Sequence, residues 1–278
     1  MRYLIGLLCV VALGAMACSE TSPRADPCEG ITCEDDGNEC SEDVCNPADG
    51  TCGLPLEDGA PCSVGACLGS VCTELSPVAG TVALEDANGV TSPAAGATVS
   101  VVGTSLSTTT NERGEFSIGV FDGDWFLQSD KDELGGLIQL VTVPLAPGEE
   151  VELFVWTEAV GEELERELGI EIDETKGVIS VNFSVAPGMA RGGETAELSE
   201  PYQHSSATNA DGDEVLSDAL FAEGGPDLTF WNVNPTEALV VTPKWIDGMG
   251  ECTLEKPELV YPIKAGFATL RADARCSR

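Results

Sequence analysis

Alternation of apolar and polar positions is the dominant signal along most of this chain. Val99 and Val101 alternate with Thr98 and Ser100, the period-two pattern of a half-buried strand. Ser107 to Thr110 is a β-branched polar run, suited to an exposed or edge strand. Asn111-Glu112-Arg113-Gly114 reads as a tight turn with Gly114 at positive φ, and Phe116, Ile118 and Val120 then share one face. Further strands are expected over Ala79–Leu84, Trp125–Gln128 and Val151–Trp156. Leu137 to Val143 is a nearly continuous apolar run, as for a strand buried on both faces. That makes seven strands and predicts a sandwich over residues 77–157. Asp122 and Asp124 are accounted for as turn residues.

A second alternating region covers residues 177–278. Ile179, Val181, Phe183 and Val185 alternate with Ser180, Asn182 and Ser184, and Pro187-Gly188 turns the chain. Thr195–Leu198, Leu239–Thr242, Leu259–Ile263 and Phe267–Ala272 are further strands, and Cys252 and Cys276 flank the last ones, where they are expected to pair and lock the C-terminal edge. Between the two regions, residues 158–176 change period. Leu164 and Leu168 share a helical face, Glu162 stands four residues before Arg166, and Gly169 is a natural stop, so a linker helix is predicted. The fold class expected is mainly β: two tandem antiparallel β-sandwiches of transthyretin or immunoglobulin shape.

The segment 28–74 breaks the pattern. Cys28, Cys33, Cys40, Cys45, Cys52, Cys62, Cys67 and Cys72 follow one another at spacings x4, x6, x4, x6, x9, x4 and x4. Large apolar residues are too few to fill a core, so cross-links must hold this segment. Eight cysteines allow 105 pairings, and spacing alone does not choose among them. Zinc would want Cys-x2-Cys pairs or added histidine, which are missing. Calcium is the one cofactor the acidic stretches suggest, with Asp35, Asp36, Asn38, Asp211 and Asp213 as ligands. The EF-hand order is absent, and solvated acidic loops explain the same residues.

Composition sets the address. Of 278 residues, 48 are Asp or Glu and 13 are Lys or Arg, a net charge of −35, which repels phosphate backbones and excludes nucleic acid as a partner. Residues 1–18 read as an export signal: Arg2, an apolar stretch from Leu4 to Leu13, then Ala15-Met16-Ala17-Cys18. This end resembles the lipobox of bacterial lipoproteins. The resemblance implies a lipid on Cys18, residues 19–27 as linker, and a tether to the membrane. Ser19 in place of Asp favours the outer membrane. Ordinary signal cleavage is the alternative. With Cys9 removed and Cys18 acylated, ten cysteines remain, an even number for an oxidising compartment.

Gly96 to Val99, Thr108 to Thr110 and Gly114 to Phe116 together resemble the carboxypeptidase regulatory-like domain, a small sandwich that is accessory far more often than catalytic. Phe230 to Pro235 is similar to the same family and suggests a divergent second copy. The Cys-x4-Cys-x6-Cys pattern looks like short repeats that serve secreted surface proteins as stalks. No Gly-x-Ser-x-Gly elbow, phosphate loop or His-Glu-x-x-His helix occurs, and His204 is the one histidine, in a loop-like stretch. The expectation is a non-catalytic envelope lipoprotein that displays two sandwiches for binding or structure, with a glycan or a protein as ligand. Trp125, Trp156, Tyr202, Trp231 and Trp245 are the aromatics to examine for stacking. The alternative is a calcium-dependent adhesion or carbohydrate-binding module.

Overall fold

The computed structural model describes residues 26–131, 135–187, 189 and 191–278. Residues 1–18, with Cys18 and the lipobox, lie outside the described residues, as does Gly188 of the expected turn. By its contacts the chain divides into a small unit, residues 26–37 and 41–54, and a large one, residues 38–40 and 55–278.

The small unit is a two-stranded sheet of β1 (Ser41–Cys45) and β2 (Cys52–Pro55). Two disulfides cross it, Cys28–Cys45 and Cys33–Cys52, with Cα separations of 5.7 and 5.4 Å. Its turn closes through the Asn46 and Thr51 backbone, and the Asp49 carboxylate accepts the Thr51 N–H and hydroxyl.

The large unit opens with a three-stranded sheet, β3 (Pro61–Cys62), β4 (Gly65–Leu68) and β5 (Val71–Glu74). Cys40–Cys67 and Cys62–Cys72 cross-link it, and Cys40 and Cys67 are fully buried. The eight cysteines thus pair first with fourth, second with fifth, third with seventh and sixth with eighth.

Eight strands follow, β6 (Ser76–Glu85), β7 (Thr91–Pro93), β8 (Thr98–Val101), β9 (Ser107–Thr109), β10 (Glu115–Val120), β11 (Gly123–Asp130), β12 (Gly135–Val143) and β13 (Val151–Trp156). β7 is the one the alternation did not announce, a three-residue strand exposed throughout. β10, β6 and β13 make one layer, and β9, β8, β11 and β12 the other. Val78, Val82, Phe116, Ile118 and Leu153 of the first layer meet Val99, Val101, Leu127, Leu137 and Val141 of the second. Gly114 has a φ of +75°, and a Cβ there would lie 2.5 Å from the Val82 carbonyl oxygen, so the turn after β9 admits only glycine. The run Ser107–Thr110, read from sequence as an exposed or edge strand, does form an edge, since β9 pairs with β8 alone, but Thr110 at its end is buried. Its hydroxyl donates to the Ala94 carbonyl and accepts from the Ala97 N–H, so it ties the turn before β8 to the end of β9.

Helix α1 (Glu158–Leu168) ends at Gly169, whose φ of +67° and N–H to the Glu165 carbonyl close it. Arg166 pairs with Glu163 and Glu167 and not with Glu162; the i,i+3 geometry brings Glu163 to its guanidinium first.

The last stretch holds β14 (Gly177–Val185), β15 (Glu194–Leu198), β16 (His204–Thr208), β17 (Glu214–Leu216), β18 (Asp227–Val233), β19 (Thr236–Leu239), β20 (Val241–Trp245), β21 (Glu251–Leu254), β22 (Tyr261–Ile263) and β23 (Phe267–Ser277). One layer runs β23-β14-β18-β16-β17, and the pairs β15–β20 and β19–β22 cover it. The expected strand Leu239–Thr242 is split in two at Val240, which is exposed. The core between the layers is Ile179, Val181, Phe183, Leu228 and Phe230 against Leu239, Val241, Trp245, Tyr261 and Ile263.

The C-terminal strand does not sit at an edge. β23 lies between the two lobes, pairing in parallel with β12 on one side and β14 on the other, so a single 14-stranded sheet passes through both. β21 joins β23 antiparallel beyond the end of β12, where Cys252 and Cys276 stand opposite each other and form a disulfide. A register shift marks this strand. Ile179 faces Thr269, but Val181 faces Ala272, so β23 carries one extra residue. Because side chains alternate faces, that bulge moves the even-numbered positions across the sheet. Ala268 packs in the first core, whereas Ala272, Ala274 and Cys276 pack in the second. β12 serves both cores as well: Leu137 and Val141 face the first, and Ile138 the second. The apolar run Leu137–Val143, read as buried on both faces, is this shared strand.

Candidate functional site

The alternation of β14 and β18 that buries Ile179, Val181, Leu228 and Phe230 sends Ser180, Asn182, Asp227, Thr229 and Trp231 to the opposite face. That face is not left to solvent. Helix α1 packs beside β13 and β17 and brings Leu164 over it, while Trp156 at the end of β13 and Leu270 of β23 wall one side. The result is a groove of about 490 Å³. Its sheet floor carries Ser180, Asn182, Asp227 and Thr229 while Trp156, Leu164, Val178, Ala268 and Leu270 make most of the exposed lining apolar, and two carboxylates, Glu214 and Asp227, are among the lining side chains. A cavity of a few hundred Å³ with aromatic walls and a few fixed polar groups has the dimensions of a small-ligand site.

The polar groups are held in place. The Trp231 indole N–H donates to Ser206 Oγ at 2.7 Å, and that hydroxyl donates to Glu214 Oε1 at 2.6 Å. Thr208 Oγ1 donates to Glu214 Oε2 at 3.0 Å, and Asn182 Nδ2 to Asp227 Oδ1 at 2.9 Å. Among the described residues no Lys or Arg forms an ion pair with either carboxylate. Both are half-buried, so neither is simply a solvated surface charge.

Asn232, next to Trp231 in β18, anchors the connector. It is buried with a φ of +56°, a conformation that asparagine tolerates better than most residues. Its amide donates to the Glu171 carbonyl and to Gln203 Oε1, and its Oδ1 accepts the Asp173 N–H. The Phe230–Pro235 motif drew attention to this stretch, but its role in holding the linker was not visible in the motif.

The five aromatics separate clearly. Trp156 and Trp231 line the groove. Trp125 packs against Phe121 at a centroid distance of 5.5 Å. Trp245 is buried under the Arg278 guanidinium, 4.0 Å from its ring centroid. Tyr202 is exposed and meets Phe230 edge-on at 4.8 Å.

His204 begins strand β16 opposite Trp231 and is not in a loop. It lines a second, smaller hollow of about 260 Å³ with Ser205, Ser217 and Asp218. Ser205 Oγ donates to Asp218 and Ser217 Oγ to the Ala219 carbonyl, so both hydroxyls are directed away from the imidazole. A nucleophile activated by a base needs the opposite arrangement.

Of the residues read as calcium ligands, Asp35 and Asp36 gather with Asp43, their nearest carboxylate oxygens all within 4.8 Å of one another and all three exposed. Asn38 is engaged elsewhere, its amide donating to the Ser70 carbonyl and its Oδ1 accepting the Cys40 N–H. The Asp211 and Asp213 backbone N–H groups both donate to Asn209 Oδ1, which fixes a tight turn before β17. Cys40, Cys62, Cys67 and Cys72 also come close together, but as disulfides and not as thiolates. Asp124 lies in strand β11, not in a turn, and holds Lys256 from the second lobe.

No family model matches the chain, so its resemblance to the carboxypeptidase regulatory-like domain rests on those short motifs alone. No curated protein matches it significantly. Among solved structures it is similar to a double mutant of the shaft pilin SpaA of Lactobacillus rhamnosus GG. That match has 10% identity over 73% of this chain and 98% of that chain, with a TM-score of 0.25. The minor pilin GBS52 of Streptococcus agalactiae matches at 11% identity over 72% and 97%, with a TM-score of 0.24. The TIE protein of Bacillus anthracis matches at 10% identity over 72% of this chain and 34% of that one, with a TM-score of 0.19. Identities and scores this low fix no shared activity or partner. The mainly β fold with a disulfide-rich N-terminal module stands on the strand pairing and the five disulfides themselves. Among the described residues no helix is long and apolar enough to cross a membrane.

Proposed function

We propose that this chain is a non-catalytic lipoprotein of the cell envelope, tethered through a lipid on Cys18 at the outer membrane, whose β lobes form a binding module. The lobes are regulatory-like sandwiches, and the ligand, a glycan or a protein, is taken on the second lobe. The observation that carries this reading is the groove. A sheet face that would otherwise be an ordinary polar surface is covered by α1 around two tryptophans and two fixed carboxylates. The envelope address is supported by ten described cysteines that are all paired, as expected in an oxidising compartment. Mass spectrometry of the N-terminal peptide from membranes tests the tether: acyl chains on Cys18 are expected, and an unmodified terminus overturns it. A pull-down from intact envelope with the native chain and with Trp156→Ala tests the groove. Captured components should be lost with the variant, and capture indifferent to Trp156 would move the binding site elsewhere.

A second reading, calcium-dependent adhesion, is favoured by the Asp35, Asp36 and Asp43 cluster. Calorimetry with calcium decides it: no heat and no change in melting temperature would remove it.

A further inference from the structure

We infer that the groove under α1 takes a small organic cation, an ammonium ion carried on an apolar body. The inference rests on the groove proposed above as the binding site and goes beyond that reading in the ligand it names, a small cation in place of a glycan or a protein. Three observations converge. First, the walls are apolar and aromatic: Trp156, Trp231, Leu164, Val178 and Leu270 surround the cavity. Such walls favour an apolar body, and indole rings among them add an attraction for positive charge. Second, Glu214 and Asp227 are half-buried in that setting, held by hydroxyl and amide donors, and no cationic side chain pairs with them among the described residues. A carboxylate partly withdrawn from water attracts an opposite charge more strongly than one in bulk solvent, because fewer waters screen the pair. Third, the chain's net charge of −35 gives the molecule as a whole a field that concentrates cations and repels anions.

These features also discriminate between ligand classes. Neutral sugars use tryptophan faces equally well, but they accept as well as donate hydrogen bonds. The lining offers donors in Ser180, Asn182 and Thr229, but its two charged groups, Glu214 and Asp227, only accept, and part of their capacity is already used by Ser206, Thr208 and Asn182. An ammonium group is donor only and matches an acceptor-only pair. The cavity's size suits an ion with a ring or a short aliphatic chain, and tetraalkylammonium heads are recognised elsewhere by aromatic walls in the same way.

The test uses the oxidised chain and a pair of probes of equal shape, phenethylammonium and phenethyl alcohol, followed by tryptophan fluorescence and calorimetry. The charged probe is expected to bind about tenfold more tightly, the factor that ~1.4 kcal/mol of cation–π and ion-pair attraction gives. Its affinity should fall as sodium chloride rises. Glu214→Gln with Asp227→Asn should remove the preference for charge while keeping the alcohol's affinity, and Trp156→Leu should weaken both probes. Equal binding of the two probes, or a preference untouched by the double substitution, overturns the inference. Tighter binding of maltohexaose than of either probe overturns it in favour of a sugar site. If the double variant fails to fold, the comparison of the two probes on the native chain and the single Asp227→Asn, which should reduce the preference for charge, still decide. An unmodified Cys18 would sink the envelope tether and leave this result standing, whereas a failure of charge selectivity would leave the tether untouched.

Discussion

Residues 28–72 hold eight cysteines, and the buried hydrophobic residues among them are Cys40, Ala66 and Cys67. From Val78 onward two contiguous cores carry dozens of fully enclosed apolar side chains, with a single disulfide between Cys252 and Cys276. The first region is held by covalent loops that restrict its unfolded chain, the second by surface removed from water. What the contrast teaches is that the two should fail under different insults. Reduction ought to erase one and spare the other. With dithiothreitol, amide protection across residues 28–72 is expected to vanish while β14 and β18 keep theirs, because each of the four lost disulfides costs ~2–5 kcal/mol in a segment without a core. Hydrogen exchange measured with and without reductant checks this. Protection lost equally in both regions would show that the lobes lean on the cross-links after all.

The second way to press the comparison is to break packing without touching a disulfide. Gly136 lies where β12, β13 and β23 meet, and a Cβ there would stand 2.0 Å from the Ser129 carbonyl oxygen and 2.7 Å from the Phe267 ring. Gly136→Ala should cost about 3 kcal/mol or more, since neither backbone nor a wedged ring can yield cheaply. The loss is expected in both lobes at once, because β12 and β23 belong to both cores, while residues 28–72 keep their protection. Two separated melting steps in a calorimetric scan would mean that the shared strand does not couple the lobes.

The lobes' strands were legible from sequence because alternation reports burial on one face. β10 and β14 are read almost directly from Phe116, Ile118 and Val120 and from Ile179, Val181 and Phe183. β23 was legible as a strand but not in its place. Nothing in Ala268, Ala272 and Ala274 distinguishes a lobe's edge from the seam between two lobes, and the bulge that divides their faces depends on β14, 90 residues earlier along the chain. The groove was half legible. Trp156 and Trp231 were among the aromatics singled out, but Glu214 and Asp227 carry no local signal. They become a pair only because β17 and β18 both pair with β16. The cysteine connectivity was illegible for the same reason, since pairing is decided in space.

A third test is pH, which reaches the lobe seam selectively. Tyr261 is buried edge-on to Phe126 of β11, with ring centroids 5.9 Å apart. Burial, helped by the negative charge of Asp273, pushes its phenol up to about 12. An elevated value means the folded state favours the neutral phenol. The contribution is whole below the ordinary value near 10 and is lost as pH climbs from there through about 12. Some ~2–3 kcal/mol of stability should go across that window, and Tyr261→Phe should flatten it. Urea unfolding of both chains from pH 9 to 12 measures the difference. Parallel curves would mean Tyr261 is freer to ionise than its burial indicates.

The smallest effect belongs to a polar link across the same seam. Lys256, from the loop after β21, pairs with Asp124 of β11 and donates to Thr142 Oγ1 at 2.8 Å. Lys256, and then the Thr142 hydroxyl, hold the Asp124 carboxyl below its ordinary value. A lowered carboxyl stabilises the fold above the ordinary range and loses that contribution as pH falls through its depressed value. With both side chains about a third exposed, water screens the pair, and the expected loss in Lys256→Ala is under ~1 kcal/mol. It should shrink further in 1 M salt and disappear at acid pH, whereas the Gly136→Ala cost should persist in both. A Lys256→Ala penalty as large as the packing penalty, and indifferent to salt, would place the seam's strength in its charges instead of its shared strand.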